Sequence, residues 1–177
     1  MSFDTVMNDQ LSHKQVLFKK VTYSLSLLTD RISSPSNLGG IFRSSDAFGI
    51  DKLYLFSENI NLSTPRFLKA SRNTERAVNY QCIKDPLIVI NDHKDEGYLI
   101  LGLEITRKSI PIQDLTLPPN QKVLLVAGSE QYGVSPEILA LVDHTIHIEM
   151  MGQNSSMNVT NALSVAFYSI TQKLAYE

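Results

Sequence analysis

Long apolar runs, paired cysteines and an excess of charge are all missing from this sequence. The longest uninterrupted apolar stretches, such as residues 123–127, are far below the roughly 20 residues that a membrane-spanning helix needs. Residues 1–10 are polar and lack the positive start and apolar centre of a secretory signal, so we expect a cytoplasmic protein without a membrane partner. The single cysteine, Cys82, excludes a disulfide within the chain, and its strand-like neighbours predict a small buried side chain.

The charge balance excludes one way of binding nucleic acid. The chain has 16 basic and 18 acidic residues and a formal net charge of −2, whereas counterion release requires many phosphates to be neutralised at once. Any contact with RNA must therefore be local. One group of cations has a spacing that would place it along one side of a helix, opposed only by Glu75: Arg66, Lys69, Arg72 and Arg76. A solvated helix face explains this pattern equally well.

Short strand-like runs alternate with longer helix-like segments from about Thr22 to the carboxyl end. This alternation predicts an α/β fold with a mainly parallel sheet flanked by helices. We assign residues 1–177 to a single domain, because 177 residues with 43% hydrophobic content suffice for one core, and we treat residues 1–20 as an amino-terminal extension. The predicted strands are 23–29, 52–56, 79–83, 98–105, 122–127 and 145–149.

Several segments carry helix signals. Asn37 can cap a helix that runs to about Phe48, with Gly49 as its left-handed end. Ser135 and Pro136 offer a cap and a first-turn proline for another helix. Residues 109–121 contain three prolines and predict an extended loop that is functional or crosses the molecule. An apolar stripe at helical spacing predicts a final helix and comprises Val159, Ala162, Leu163, Ala166, Phe167, Ile170 and Leu174.

Three polar segments that contain glycine or amides follow predicted strands, where open α/β sheets bind their ligands. They are residues 36–49, 126–137 and 148–160. Gly128 would allow a ligand to approach the backbone closely, although a tight turn requires glycine equally. Arg43 could reach a phosphate, although a surface arginine whose stem covers the core is the commoner explanation.

Other chemistries find little support in the sequence. Residues 126–137 do not form G-x-G-x-x-G and lack the lysine of a P-loop, which argues against dinucleotide and nucleoside triphosphate sites. His144 and His147 are three residues apart in a predicted strand, so their side chains point to opposite faces and cannot share a metal ion. No serine lies in a nucleophile-elbow pattern. We therefore expect neither a metal site nor a hydrolase triad.

In this order, the three segments resemble the three motifs of the SpoU/TrmH family of RNA 2′-O-ribose methyltransferases, within the SPOUT superfamily. The resemblance covers roughly residues 25–175 and includes residues 101–106, which are similar to the family's strand before the connecting loop. The matching positions are Asn37 and Arg43 in the first motif, Gly128 and Glu130 in the second, and Ser156 and Asn158 in the third. The departures are Gln131 for glycine, Met157 for leucine and Thr160 for serine, of which Gln131 affects the local turn and nearby substrate contacts.

The resemblance implies a deep trefoil knot at about residues 122–177 and a homodimer whose active site lies at the subunit interface. It implies S-adenosylmethionine as cofactor, held by backbone groups near Leu103, Gly128, Ile148 and Met157. Arg43 would hold an RNA phosphate and stabilise alkoxide charge on the ribose. The implied catalytic set is Arg43, Asn37, Glu130, Asn158 and Ser156.

Two other functions remain open at this point. A knotted RNA-binding module without activity would share the fold, although the presence of both Arg43 and Asn158 speaks against it. An α/β protein that binds an unrelated nucleotide would share the alternation of strands and helices. Among RNA methyltransferases, the lack of room for an extra amino-terminal RNA-binding domain favours transfer RNA over ribosomal RNA as substrate.

Overall fold

The computed structural model describes residue 16 and residues 22–175, so the predicted amino-terminal extension lies outside the described residues except for Val16. Within the described part, seven strands form one sheet: β1 (Leu25–Asp30), β2 (Lys52–Phe56), β3 (Tyr80–Ile83), β4 (Tyr98–Leu103), β5 (Ile110–Pro111), β6 (Lys122–Gly128) and β7 (His144–His147). Their order across the sheet is β3-β2-β1-β6-β4-β7-β5. Every pair of these neighbouring strands is parallel, which confirms the predicted sheet.

Helices cover both faces of this sheet. The structure places α1 at Pro35–Ala47, α2 at Pro65–Ser71, α3 at Pro86–Asp95, α4 at Pro136–Leu139 and α5 at Val159–Ala175. Short 3-10 turns cover Thr74–Arg76 and Ile112–Asp114. The first four helices begin with proline, whose fixed φ suits the first turn and whose missing N–H would have no partner there.

The cap of α1 differs from the prediction. Ser34 is the capping residue and Pro35 opens the helix, so Asn37 lies within the first turn and is not the cap. A proline two residues earlier was the stronger start signal. The predicted end is confirmed, because Gly49 has φ 60°. The Asn37 side chain is consequently available for contacts outside its own helix.

The centre of the sheet is buried on both faces. All six residues of β1 are buried between β2 and β6, as expected for a strand covered on two sides. Leu25 and Leu27 belong to the core beneath α1 and α5. Leu28 belongs to a second core beneath α3 and α4.

Close packing of α1 brings the first and last parts of the chain together. A Cβ on Gly39 would lie 2.6 Å from Ala70 Cβ and 2.7 Å from the Phe67 carbonyl oxygen, so α1 and α2 cross with no room for a side chain. A Cβ on Gly40 would lie 2.6 Å from Cγ2 of Thr160, at the start of α5. The first polar segment therefore lies against the third.

Helix α5 and the segment of residues 109–121 were both predicted from the sequence. The apolar stripe of α5 is confirmed, since Val159, Leu163, Ala166, Phe167 and Ile170 are buried. Residues 109–121 cross the molecule with three buried side chains, Ile112, Leu115 and Leu117, and add the short strand β5, which the sequence analysis missed.

The prediction for Cys82 was wrong. Its side chain is exposed, because β3 is an edge strand of the sheet and is not covered like the central strands.

No described helix is both long enough and apolar enough to span a membrane.

Candidate active site

A cavity of about 500 Å³ opens at the carboxyl ends of β4, β6 and β7. These strands are neighbours and parallel, with Leu103 of β4 beside Ala127 of β6 and Ile146 of β7, so the loops that follow them meet at one edge of the sheet. The four residues predicted to hold the cofactor all line this cavity: Leu103, Gly128, Ile148 and Met157. Three residues of the predicted catalytic set line it as well: Glu130, Ser156 and Asn158.

Gly128 shapes the floor of the cavity. The chain turns back directly after it, because Ser129 and Gly133 form a bridge in which the Gly133 N–H donates to the Ser129 carbonyl over 2.8 Å. Gly133 has φ 63°, in the left-handed region that favours glycine. A Cβ on Gly128 would overlap the backbone of Gly133 and Val134. This loop can therefore fold over the end of β6 only if position 128 has no side chain.

Glu104 fastens the same loop from the neighbouring strand. Its carboxylate accepts hydrogen bonds from the Ile105 N–H at 2.9 Å and from the Val134 N–H at 3.0 Å. Residues 101–106 are part of the resemblance to the SpoU/TrmH family, but the sequence predicted no role for Glu104. A carboxylate directly after an apolar strand was the only available signal, because its partner lies 30 residues away.

Three of the predicted catalytic residues form one hydrogen-bonded cluster beside the cavity. The Asn158 amide donates to Glu130 Oε1 at 2.5 Å and to Asn37 Oδ1 at 3.1 Å. Asn158 Oδ1 accepts the Thr160 N–H at 3.0 Å, so Asn158 caps α5. The Thr160 hydroxyl in turn donates to the Asn37 carbonyl at 3.3 Å. The cluster thus joins the three polar segments of the sequence.

Arg43 lies apart from this cluster. It is exposed on α1 and is not among the residues that line the cavity. Six helical residues separate it from Asn37, which turns its side chain roughly 120° around the helix axis from that of Asn37. It forms no hydrogen bond or ion pair with another residue of the described part. In this chain, Arg43 therefore does not contribute to the walls of the cavity.

The four candidate RNA-binding cations are all exposed, but they do not share one helix. Arg66 and Lys69 lie on α2, which ends at Ser71, whereas Arg72 follows with a left-handed backbone at φ 52°. Arg76 lies in the next 3-10 turn. Glu75, the one opposing charge, accepts a hydrogen bond from the Ser71 hydroxyl at 2.6 Å, which lowers the pKa of Glu75. The prediction of one continuous helical face was wrong.

Metal chemistry receives no support from the described residues. Among residues 22–175, no three or more histidine, cysteine, aspartate or glutamate side chains are grouped so that they could hold a metal ion. The polar side chains that line the cavity are two carboxylates, one carboxamide, one imidazole and three hydroxyls: Glu104, Glu130, Asn158, His147, Ser129, Ser155 and Ser156. This set can bind and orient a polar organic ligand.

Comparisons with known proteins agree with this geometry. The family model described as the SpoU rRNA Methylase family matches residues 24–168. A TrmH-family protein of Staphylococcus epidermidis is 30% identical over 165 residues, which cover 93% of this chain and 64% of that protein. The tRNA (guanosine(18)-2′-O)-methyltransferase of Saccharomyces cerevisiae is 27% identical over 173 residues, which cover 96% of this chain and 12% of that enzyme.

A solved structure shares the fold. The SpoU methyltransferase AviRb from Streptomyces viridochromogenes, in complex with the cofactor AdoMet, matches with a TM-score of 0.76 at 26% identity. The match covers 88% of this chain and 62% of that one. The chain thus spans less than two thirds of the length of each of these three proteins.

Proposed function

Because the chain belongs to the SpoU rRNA methylase family, we propose that it transfers a methyl group from S-adenosylmethionine to a ribose 2′-hydroxyl of RNA. The observation that carries this proposal is the hydrogen-bonded cluster of Asn37, Glu130 and Asn158 at the edge of the cavity. The AdoMet complex of AviRb supports the cofactor, and the name of the S. cerevisiae relative supports the 2′-hydroxyl as acceptor.

The cavity fits the proposed cofactor. Its volume of about 500 Å³ lies within the range of small-molecule sites, about 300–1,000 Å³. The loop over Gly128 brings backbone groups to the cavity wall, and backbone near Leu103, Ile148 and Met157 completes the proposed cradle. When bound, S-adenosylmethionine supplies an electrophilic methyl group on a sulfonium.

The residues around the cavity would position the acceptor. A ribose hydroxyl is a poor nucleophile at neutral pH, so alignment and stabilisation of the developing negative charge are the main contributions that the protein can make. We propose that Asn158, held by Glu130 and Asn37, orients the ribose together with the exposed hydroxyl of Ser156. The hydroxyl proton would pass to the RNA phosphate or to a water molecule as the oxygen takes the methyl group. The developing alkoxide charge and the sulfonium charge then cancel, so a pocket that excludes bulk water favours the transfer.

Arg43 completes the proposed mechanism from a second subunit. A guanidinium stays protonated and can hold a phosphate through two hydrogen bonds while it stabilises alkoxide charge. Because Arg43 does not reach the cavity of its own chain, we propose a homodimer in which each active site receives Arg43 of the partner subunit. This arrangement explains how a residue remote from the cavity can still take part in the reaction.

The substrate is proposed to be transfer RNA. The name of the S. cerevisiae relative supports this choice over ribosomal RNA. Local contacts would come from the four exposed cations, Arg66, Lys69, Arg72 and Arg76. We also propose a single domain, a trefoil knot at about residues 122–177, and a cytoplasmic location.

A transfer assay with labelled S-adenosylmethionine tests the proposed function. Unfractionated transfer RNA and ribosomal RNA serve as acceptors, and the product is digested to nucleosides. We expect 2′-O-methylated nucleosides from transfer RNA. Label on a base only, or no transfer by a protein that binds S-adenosylmethionine, contradicts the proposal.

Mixed dimers test whether Arg43 acts between subunits. Arg43→Ala and Asn158→Ala are each expected to abolish transfer. If the two residues belong to one site built from two chains, unfolding and refolding the variants together restores partial activity, since one site of each mixed dimer is intact. No recovery in dimers shown to be mixed would assign Arg43 and Asn158 to the same subunit's site.

A further inference from the structure

A second cavity of about 330 Å³ adjoins the first, and the two share Ser129 and Glu130 in their walls. If the methyl donor occupies the larger cavity, the acceptor ribose must lie within a few ångströms of it, because methyl transfer requires the reacting atoms to be in contact. The smaller cavity provides space at that distance. Its walls include Gln131 and two residues that take no part in the mechanism proposed so far, Arg31 and Tyr132.

Arg31 has an unusual backbone. Its φ is 58°, a left-handed conformation that disfavours residues other than glycine, and its N–H donates to the Phe56 carbonyl at 2.7 Å. Residues held in such conformations cluster at functional sites, where the surrounding structure maintains them. The effect of this conformation is to place a long cationic side chain on the wall of the smaller cavity, directly after β1.

The buried carboxylate of Asp30 fixes the Arg31 guanidinium. Arg31 Nε lies 2.9 Å from Asp30 Oδ1 and Nη2 lies 3.4 Å from Oδ2. Asp30 is fully buried, and its Oδ2 also accepts the Ser135 N–H at 2.6 Å, at the start of α4. The carboxylate is therefore held from two sides. Such a carboxylate fixes the plane of the guanidinium.

The outer edge of this guanidinium has no other hydrogen-bond partner among residues 22–175. The Arg31 side chain is 42% exposed, and its charged carbon lies 5.8 Å from the centre of the Tyr132 ring. Tyr132 is itself 67% exposed. The cavity thus combines a fixed pair of N–H donors with a largely exposed aromatic ring, one face of which lies beneath the guanidinium.

We propose that the smaller cavity receives the acceptor nucleotide and that the outer edge of Arg31 donates two hydrogen bonds to a pair of acceptor atoms on it. This inference rests on the proposed function. Two oxygens of a phosphate and the O6 and N7 atoms of guanine both match a guanidinium fork. Tyr132 offers a face on which the unstacked base can lie. Asp30 is a positioning residue that aims the fork.

For this contact, the geometry of the guanidinium matters more than its charge. Asp30 offsets the charge of Arg31, so the pair exerts little long-range attraction on RNA, and the two parallel N–H groups provide the contact. Lysine carries the same charge but has no planar fork. Arg31→Lys is therefore the informative variant, because it keeps an ion pair for the buried Asp30.

The test compares this variant with two others. Asp30→Asn combined with Arg31→Asn removes both charges together, and asparagine tolerates the left-handed backbone at position 31. Lys122→Ala removes one exposed charge at the opposite end of the sheet and serves as control. We expect Arg31→Lys and the double variant to bind labelled transfer RNA about tenfold more weakly or worse. S-adenosylmethionine affinity by calorimetry should be unchanged in all three, and Lys122→Ala should bind RNA like the wild type.

Salt and sequence dependence identify the atoms that Arg31 contacts. If Arg31 contacts a phosphate, the double variant loses that contact, so its slope of log affinity against log salt is shallower than that of the wild type by roughly 0.7–0.9, and all RNA sequences bind equally more weakly. If Arg31 contacts a base, the double variant keeps the wild-type slope and loses the preference for guanosine at the target position. Both results support the assignment. If the wild-type protein methylates RNA but Arg31→Lys and the double variant both bind RNA with wild-type affinity, the assignment of Arg31 is refuted. A wild type that neither binds S-adenosylmethionine nor methylates RNA refutes the proposed function, and this assignment with it.

Discussion

Substitution of Gly128 by alanine tests the construction of the larger cavity. The new Cβ would overlap backbone atoms of Gly133 and Val134, which cannot turn aside as a flexible side chain would. Val134 is buried and its N–H is held by Glu104, so the whole loop must move. Overpacking of a core commonly costs about 1–3 kcal/mol, and we expect about 3 kcal/mol here because the obstacle is backbone. For a chain of this size that corresponds to a fall in Tm of roughly 6–12 °C.

Thermal unfolding followed by circular dichroism measures this shift, and calorimetric titration measures the affinity for S-adenosylmethionine, which should fall at the same time. Gly152→Ala is the matched control, because a Cβ there meets nothing within 4 Å and the residue is exposed in the third polar segment, residues 148–160. Its Tm and affinity should equal those of the wild type. Wild-type Tm and affinity in Gly128→Ala would refute the fold of this loop over the end of β6.

Three other substitutions have defined outcomes. Phe42→Ala removes a fully buried ring in edge contact with Phe67 at 5.3 Å, and urea unfolding should show a loss of about 3–5 kcal/mol; a loss below 1 kcal/mol would contradict the described packing. Asn158→Ala removes the cap that accepts the Thr160 N–H, so stability should fall by about 0.5–2 kcal/mol, while methyl transfer should disappear. Burial raises the pKa of Asp51, so its contribution to stability is fully present below the ordinary aspartate range and is lost as pH rises through the raised pKa. Asp51→Asn should therefore remove this decline from a profile of unfolding free energy against pH. An unaltered profile would show that the pKa of Asp51 is not raised by folding.

Periodicity predicted most of the fold, because the strands of a sheet with both faces covered appear in the sequence as short, nearly continuous apolar runs. Lys52–Phe56 was predicted with its observed bounds, and the ends of β4 and β7 were each placed two residues too far along the chain. Periodicity does not say which strand lies at an edge, and for that reason the exposure of Cys82 was not foreseen. The strand β5 escaped notice because two residues, one of them proline, form no pattern.

The residues of the site could be predicted from the sequence, whereas the hydrogen bonds between them could not. Asn37 and Asn158 are 121 residues apart, and only the order of the three motifs suggested that they meet. Glu104 and Arg31 were missed because each is held by backbone that is distant in the sequence. Glu104 accepts the Val134 N–H, and the Arg31 N–H donates to the Phe56 carbonyl. No spacing rule in one sequence encodes such contacts.

The most direct test of the whole account is a crystal structure of the protein grown with S-adenosylmethionine. We predict density for the ligand in the larger cavity, against the backbone near Leu103, Gly128, Ile148 and Met157, with Arg43 of the partner subunit at the mouth of the same cavity. Density at any other location, or an empty cavity at saturating ligand, would contradict the account.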